Sequence, residues 1–493
     1  MIADQLDQKR REVASSVDRG RKSIMGQFLT PGSIAWFMAS LFEIPKKDSI
    51  SILDAGAGIG SLAGALLERL EDSGVSVVNL TAYELDKAIL PHLNETLRSF
   101  TNRYTNIKKE LVVNTLNKDF IESGRKDLFN TWPDSYDMAI LNPPYGKINS
   151  NSHHRTLLRQ YGIETVNLYS AFVALALKQL SKGGQIVAII PRSFCNGPYY
   201  KPFRQQILSE ACIQYIHLFD SRKTAFADDG VLQENIILHL IKGKKQTNHL
   251  SISNSHGVDF DDVDKWKVRF ENIVKPGDVE VFIHIPNDSH GTSFESQAFA
   301  YSLDELGVSV STGPVVDFRL KEYLSKTPGQ GRVPLLYPAH FSGWNIAYPL
   351  VDFKKYNAIA VNEQTKKWLF PSGFYTVVRR FSSKEEKRRI IACVVRPEDI
   401  NAEFVGLENH VNVFHHNHQG LAEDLAFGLA AYLNSKQVDT CFRVFSGHTQ
   451  VNATDLRLMK YPSVKSLTTL GNWAKSQSYF DSDLIDARIE DIL

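Results

Sequence analysis

Ser51-Ile-Leu-Asp-Ala-Gly-Ala-Gly-Ile-Gly-Ser61 joins an apolar run to a glycine-rich turn and then to a stretch with helical apolar spacing. Ser51–Asp54 reads as a buried strand, and Ser61–Leu70 (SLAGALLERL) carries its apolar residues on one helix face. Glycine is needed where backbone must approach a ligand closely or where the turn leaves no room for a side chain. The spacing here is GxGxG opened by Asp54, not the GxGxxG of dinucleotide binders.

The same alternation continues on the C-terminal side. Val75–Glu84 is strand-like, Lys87–Phe100 is helix-like apart from Pro91, and Leu111–Val113 begins a third strand. Met138–Leu141 is a short strand, Tyr169–Leu180 a helix ending at Gly183-Gly184, and Gln185–Ile190 the next strand. Ile213–Leu218 and Asn235–Leu240 add two more. Strands alternating with helices predict an α/β fold with a mostly parallel, doubly wound sheet, whose ligands sit beyond the carboxyl ends of the strands. After Lys245 the pattern turns irregular and β-rich, with aromatics, basic clusters, Gly313-Pro314 turns and one helix near Leu421–Leu433. Two domains follow, 1–245 and 246–493, the second of mixed α/β character.

At 493 residues the chain is too long for one core. Its 43% apolar and 23% charged composition is that of an ordinary globular protein. A net charge of +1 neither demands nor excludes nucleic acid, so a DNA-binding surface must arise from charge segregation. Cys195, Cys212, Cys393 and Cys441 form no CxxC pair and read as reduced thiols. The charged N-terminus lacks a signal core, and no apolar run approaches the roughly 20 residues of a membrane span. A soluble cytoplasmic protein is expected.

Acids recur at the strand tips. Glu84 closes the second strand and suits bidentate hydrogen bonding to ribose hydroxyls, although a solvated loop acid is the competing reading. Asp119, in Asn117-Lys-Asp-Phe120, can accept from an adenine amine while Phe120 packs on the ring.

The fourth strand leads into Asn142-Pro-Pro-Tyr145. Aromatic amines are poor nucleophiles because the nitrogen lone pair is delocalised into the ring. Acceptors on both amine hydrogens localise it, and the Asn142 side-chain oxygen and Pro143 carbonyl supply two. Pro143 and Pro144 fix φ and hold those acceptors in place beforehand. Tyr145 offers a face for an extruded base, worth about 1–3 kcal/mol per stacked base. No cysteine follows a proline here, so the covalent route to carbon methylation of cytosine is unsupported.

With these residues the sequence resembles the amino-methylating DNA methyltransferases of the gamma arrangement, in which cofactor region, catalytic region and recognition domain follow in that order. The resemblance implies a Rossmann-like S-adenosylmethionine-binding domain and a C-terminal DNA target-recognition domain. Gly26-Gln-Phe-Leu-Thr-Pro31 looks like the family's N-terminal cofactor motif, implying that Thr30 and Pro31 contact the methionine part of S-adenosyl-L-methionine. Asp54, Gly56 and Gly58 match its glycine-rich loop, Glu84 its ribose acid, Asp119 and Phe120 its adenine site, and Asn142, Pro143, Pro144 and Tyr145 its catalytic motif. Phe226 stands where the family carries a second aromatic for the flipped base. Val231-Leu-Gln-Glu-Asn-Ile236 and Phe445-Ser-Gly-His-Thr-Gln-Val-Asn452 resemble the BsuBI/PstI-type modification methyltransferases, which hints at CTGCAG. The resemblance implies N6-adenine methylation of double-stranded DNA by a monomer, with a separately encoded restriction endonuclease as partner.

In the second half, Arg379, Arg380, Lys384 and Arg388 form a basic stretch, and Thr376–Phe381 alternates so that its charges project toward a phosphate track. A solvated hairpin or helix face is the competing reading. His448, Gln450 and Asn452 are candidate base readers, with turn formation as their alternative. His415, His416 and His418 lack a partner at metal spacing, so no metal site is expected. His153-His154 lies in a polar loop after the tetrapeptide, as a segment that closes over DNA. Three rivals stay open: an RNA base-amine methyltransferase, a glutamine-directed protein methyltransferase, and a non-catalytic DNA-binding protein with this fold.

Overall fold

Alternate residues of the central strands enter two separate cores, one on each face of a sheet. Ile50 and Ile52, Met138 and Ile140, and Val187 and Ile189 pack on one side; Leu53 and Ala55, Ala139 and Leu141, and Ile186 and Ala188 pack on the other. Strands buried on both faces read as continuous apolar runs, which is why they are visible in the sequence. The computed structural model describes residues 7–13, 29–124, 135–219, 234–255, 257–286, 300–382, 386–445, 450–477 and 481–492.

The main elements up to residue 286 are α1 (Gly32–Ser40), β1 (Ser49–Ala55), α2 (Ser61–Glu71), β2 (Val77–Tyr83), α3 (Leu90–Asn106) and β3 (Glu110–Leu116). Then come α4 (Phe120–Ser123), β4 (Tyr136–Leu141), α5 (His153–Gln160), α6 (Leu168–Gln179), β5 (Leu180–Pro191) and α7 (Lys201–Glu210). β6 (Ala211–Phe219), β7 (Asn235–Lys242), β8 (His249–Ser255) and β9 (Asp264–Arg269) complete the sheet. Its order is β3-β2-β1-β4-β5-β7-β6-β8-β9. β3 through β5 are parallel neighbours, β7 is inserted antiparallel between β5 and β6, and β9 is antiparallel at the edge. Helices α1, α2 and α3 cover one face through Ile34, Met38, Leu62, Leu66, Leu93 and Leu97. Helices α6 and α7 cover the other through Phe172, Leu175, Phe203 and Ile207.

The chain divides into units Met1–Gly291 and Thr292–Leu493. The expected boundary at 245 is too early, because β8 pairs with β6 and sends Leu250 and Ile252 into the first unit's core. The second unit holds a four-stranded antiparallel sheet ordered Ser309–Thr312, Val411–His415, Tyr375–Arg379, Ala392–Val395. A five-stranded sheet runs through Arg332–Leu336, which pairs parallel with Phe404–Leu407 and antiparallel with Ala358–Ala360. Helix Glu423–Leu433, close to its expected span, buries Ala426, Leu429 and Ala430 against Val378, Ala392 and Phe414. Among the described residues no helix is long and apolar enough to cross a membrane.

Candidate active site

From β1 the sheet grows one way through β2 and β3, and from β4 the other way through β5. Loops leaving β1 and β4 therefore diverge, and the crevice between them is where ligands of such sheets bind. The glycine-rich turn leaves β1 and the Asn-Pro-Pro-Tyr tetrapeptide leaves β4.

The turn is held by main chain. Gly56 and Ala57 N–H groups both donate to the Tyr83 carbonyl, at 2.9 and 2.8 Å. Gly60 has φ +87°, a left-handed conformation that side chains oppose, and a Cβ there would lie 3.1 Å from Leu93. Gly56 faces the tetrapeptide: the nearest atoms to a Cβ built on it are the Asn142 carbonyl oxygen at 3.8 Å and Phe172 at 3.9 Å.

Asp54 is fully buried, and its Oδ2 accepts from the Ala63 N–H at 3.2 Å, satisfying one of the donors that α2 leaves open at its start. Its Oδ1 has no hydrogen-bond partner among the described residues. Burial, with the Glu84 charge adding to it, lifts the carboxyl to about 7 against the Ala63 bond.

Glu84 is also buried and accepts from the Gly58 N–H at 2.8 Å and the Asp86 N–H at 2.7 Å. It thereby ties the tip of β2 to the glycine turn. Asn117 donates to the Glu84 and Leu85 carbonyls at 2.8 and 3.1 Å, a clamp between the β2 and β3 tips that the sequence carried no signal for.

Asp119 caps α4, accepting from the Glu122 N–H at 3.0 Å, and pairs with His154 Nε2 at 3.2 Å. Burial pushes the Asp119 carboxyl up, but the His154 bond, the Glu122 N–H and the His154 charge outweigh it and the net shift is downward. The Asp119 bond raises His154 in turn, against burial. His153 and His154 are not in a loop as expected; they open α5, where Ser152 caps the helix by accepting from the Arg155 N–H at 3.2 Å. Phe120 follows directly on Asp119. Its ring is buried in a cluster with Tyr83 at 5.1 Å and Phe172 at 5.2 Å, so most of its surface is core.

Asn142 Nδ2 donates to Thr30 Oγ1 at 2.9 Å. Segments 112 residues apart meet in this bond, which ties Thr30 to the first residue of the tetrapeptide. An amide nitrogen committed to Thr30 sets the carboxamide oxygen on the opposite arm. Pro31 precedes α1, with its carbonyl accepting from the Ala35 N–H at 3.0 Å. Pro143 is buried and Pro144 half-buried. The half-buried Tyr145 ring meets Tyr169 edge-on, centroids 6.3 Å apart, and burial pushes its hydroxyl well above the usual phenol range. Tyr169 is fixed by a 3.1 Å bond with Ser193 Oγ and by stacking on Tyr200 at 5.7 Å.

The candidates of the second half are less assembled. Tyr375–Arg379 is a buried central strand, so it projects no row of charges; only Arg379 and Arg380 lie at its end. Arg379 donates to the Phe381 carbonyl at 2.6 Å and pairs with Glu386. Arg380 reaches the Asn409 carbonyl at 3.0 Å and Gln450 at 3.4 Å. Arg388 is half-buried and donates to the Asn434 carbonyl. Asn452 caps helix Ala453–Leu458, its N–H and Nδ2 donating to Asp455 at 2.9 and 3.1 Å. Its turn-forming alternative accounts for those bonds. His415 bonds Ser311 at 3.0 Å and stacks on His418. Phe226, Lys384 and His448 lie outside the described residues, as do Gly26, Gln27 and Phe28.

Residues 59–226 match the family model described as Eco57I restriction-modification methylase. The type II methyltransferase M.BsuBI of Bacillus subtilis is 49% identical, the alignment covering 98% of this chain and 98% of that protein. The type II methyltransferase M.PstI of Providencia stuartii is 41% identical across 95% of this chain and 92% of its own length. Among solved structures, the DrdV–DNA complex aligns with 96% of this chain and 59% of its own at a TM-score of 0.53 and 12% identity, a likeness of fold.

Proposed function

The chain belongs to the type II methyltransferases, and on that premise we propose that it transfers a methyl group from S-adenosylmethionine to the N6 amine of an adenine flipped out of duplex DNA. It acts as the modification component of a restriction-modification system, a monomer whose cognate endonuclease is separately encoded. The observation that carries this is the Thr30–Asn142 bond beside the glycine turn, with Gly56 3.8 Å (from a built Cβ) from the Asn142 carbonyl.

The site fits the cofactor. Asp54 Oδ1 is buried without a partner, and Gly56 leaves an opening that any side chain would narrow. Thr30, Pro31, Asp54 and Gly56 would line the methionine part, Gly58 and Glu84 the ribose, and Asp119 with the edge of Phe120 the adenine. When bound, S-adenosylmethionine supplies a methyl group made electrophilic by its sulfonium.

The chain's own part is to make an amine nucleophilic. Asn142 Oδ1 and the Pro143 carbonyl accept the two N6 hydrogens, which returns the lone pair to nitrogen. Both prolines hold these acceptors rigid, so little reorganisation accompanies the reaction. Tyr145 and Phe226 flank the base. No strong base is required, because the alkylated amine is acidic enough to lose its proton to water. Extrusion costs a few kcal/mol, offset by contacts of the second unit to the duplex, for which Arg379, Arg380, Lys384, Arg388, His448, Gln450 and Asn452 are the residues to test.

Transfer of tritiated methyl to duplex DNA and to structured RNA, with long-read mapping of modified adenines in a host expressing the chain, tests this. DNA-dependent N6-methyladenine at one sequence is expected. Asn142→Ala should abolish transfer while the cofactor still binds; full activity in that variant, or transfer to RNA alone, would refute the proposal.

A further inference from the structure

Two carboxamides near the carboxyl end of β5 are buried without a hydrogen-bond partner among the described residues. Asn196 is 0% exposed and Asn235 2%. Neither the Nδ2 nor the Oδ1 of either side chain has a hydrogen-bond partner among the described residues. Folded chains rarely leave such atoms unsatisfied, because each buried polar atom has given up water without compensation.

Both follow or flank the carboxyl end of β5, the strand beside the one that leads into the tetrapeptide. Leu141, just before Asn142, pairs with Ala188 of β5, and Pro191 at the end of β5 pairs with Asn235 at the start of β7. The Arg192 N–H donates to the Glu234 carbonyl at 2.7 Å, extending that register. Asn196 lies in the turn that follows, closed by the Gly197 N–H donating to the Ser193 carbonyl at 3.2 Å. Ser193 bonds Tyr169, which supports the Tyr145 ring. Two buried arginines hold the turn: Arg192 pairs with Glu234 at 2.8 Å, and Arg204 donates to the Phe194 and Gly197 carbonyls at 2.8 and 2.7 Å. The unpartnered amides thus stand on a rigid frame and not in a loose loop.

An adenine whose N6 hydrogens are committed to Asn142 and Pro143 presents only acceptors on its remaining ring nitrogens. Carboxamide Nδ2 groups are the matching donors. We propose that Asn196 and Asn235 hold the ring nitrogens of the extruded adenine and so determine which base the tetrapeptide receives. This rests on the adenine reading of the tetrapeptide given above.

The test uses the full chain and duplexes of the mapped sequence in which the target adenine is replaced by its 1-deaza, 3-deaza or 7-deaza analogue. All three keep the exocyclic amine and remove one ring acceptor. The parent chain should lose about tenfold in kcat/KM on at least one analogue, as expected for a site left with an unpaired donor. Asn196→Asp or Asn235→Asp, which keep the shape and lose the donors, should be slower on adenine and should no longer distinguish that analogue from it. A purely structural role would slow adenine and analogue alike and would overturn the proposal. Equal rates of the parent chain on adenine and all three analogues would overturn it too, and would decide the matter even if neither variant folds. No transfer to unmodified duplex by the parent chain is a different result: it removes the adenine reading itself.

Discussion

Replacing Thr30 by valine removes one oxygen and keeps the branched shape. In the structure that oxygen accepts the Asn142 amide at 2.9 Å, and Thr30 is 5% exposed, so water does not readily take its place. Losing one partner of a buried hydrogen bond costs about 1–2 kcal/mol between the forfeited bond and the stranded donor. In the variant the two orientations of the carboxamide become closer in energy, and the flipped one offers N–H groups where the amine needs an acceptor. A drop in kcat of about 5- to 30-fold follows from that energy. S-adenosylmethionine binding, measured by calorimetry, should change little, because valine keeps the surface that would line the methionine part and only the orientation of Asn142 is lost. Thr30→Ser keeps the hydroxyl and should restore kcat to within about twofold. Single-turnover methyl transfer on the mapped duplex separates the cases. Weaker cofactor binding with kcat intact would mean that Thr30 serves the methionine contact implied by resemblance, and a serine variant as impaired as valine would show that packing is what matters. Either result sinks the orienting role.

Two further expectations concern pH. Asp54, lifted to about 7, is the group to watch in cofactor binding. Between 3.8 and about 7 the folded chain holds a proton there that the unfolded chain does not, so this residue makes stability fall as pH rises through that range. A cationic ligand favours the carboxylate, so its binding should release a proton and tighten with pH up to about 7, by at most about tenfold per unit. Calorimetry in buffers of different ionisation enthalpy reads this directly, and Asp54→Asn should flatten it; a parent chain with no proton release removes the link. The Asp119–His154 pair is bounded on both sides. With His154 raised, its contribution is complete below the ordinary histidine value and is lost as pH climbs through the raised one; with Asp119 lowered, it persists in acid until pH falls through that depressed value. His154→Gln should therefore lower the melting temperature at about pH 6 and match the parent at about pH 9. An equal deficit at both pH values would mean that the imidazole acts by packing alone.

Strands β4, β5 and β7 were legible because they are buried on both faces and carry apolar runs, and α2 because its stripe follows a glycine-rich turn. Asp54, Glu84, Asp119 and Asn142 stand out because each lies at or just beyond the end of a strand. Nothing local distinguishes β8, whose alternating Leu250 and Ile252 could belong to either unit; pairing with β6 decided it, and moved the boundary. Thr30 meeting Asn142, Asn117 spanning two strand tips, and His154 closing on Asp119 join segments far apart along the chain, and no spacing rule encodes them. The surroundings of the charge runs were hidden for a related reason. In the folded chain Arg379 bonds the Phe381 carbonyl and Glu386, and Arg380 and Arg388 bond the distant Asn409 and Asn434 carbonyls. Sequence alone therefore determined which candidate groups sit at which strand ends, since periodicity and glycine placement are local properties. Which of those groups touch, and which amides are left without a partner, depends on long-range packing and became visible only in three dimensions.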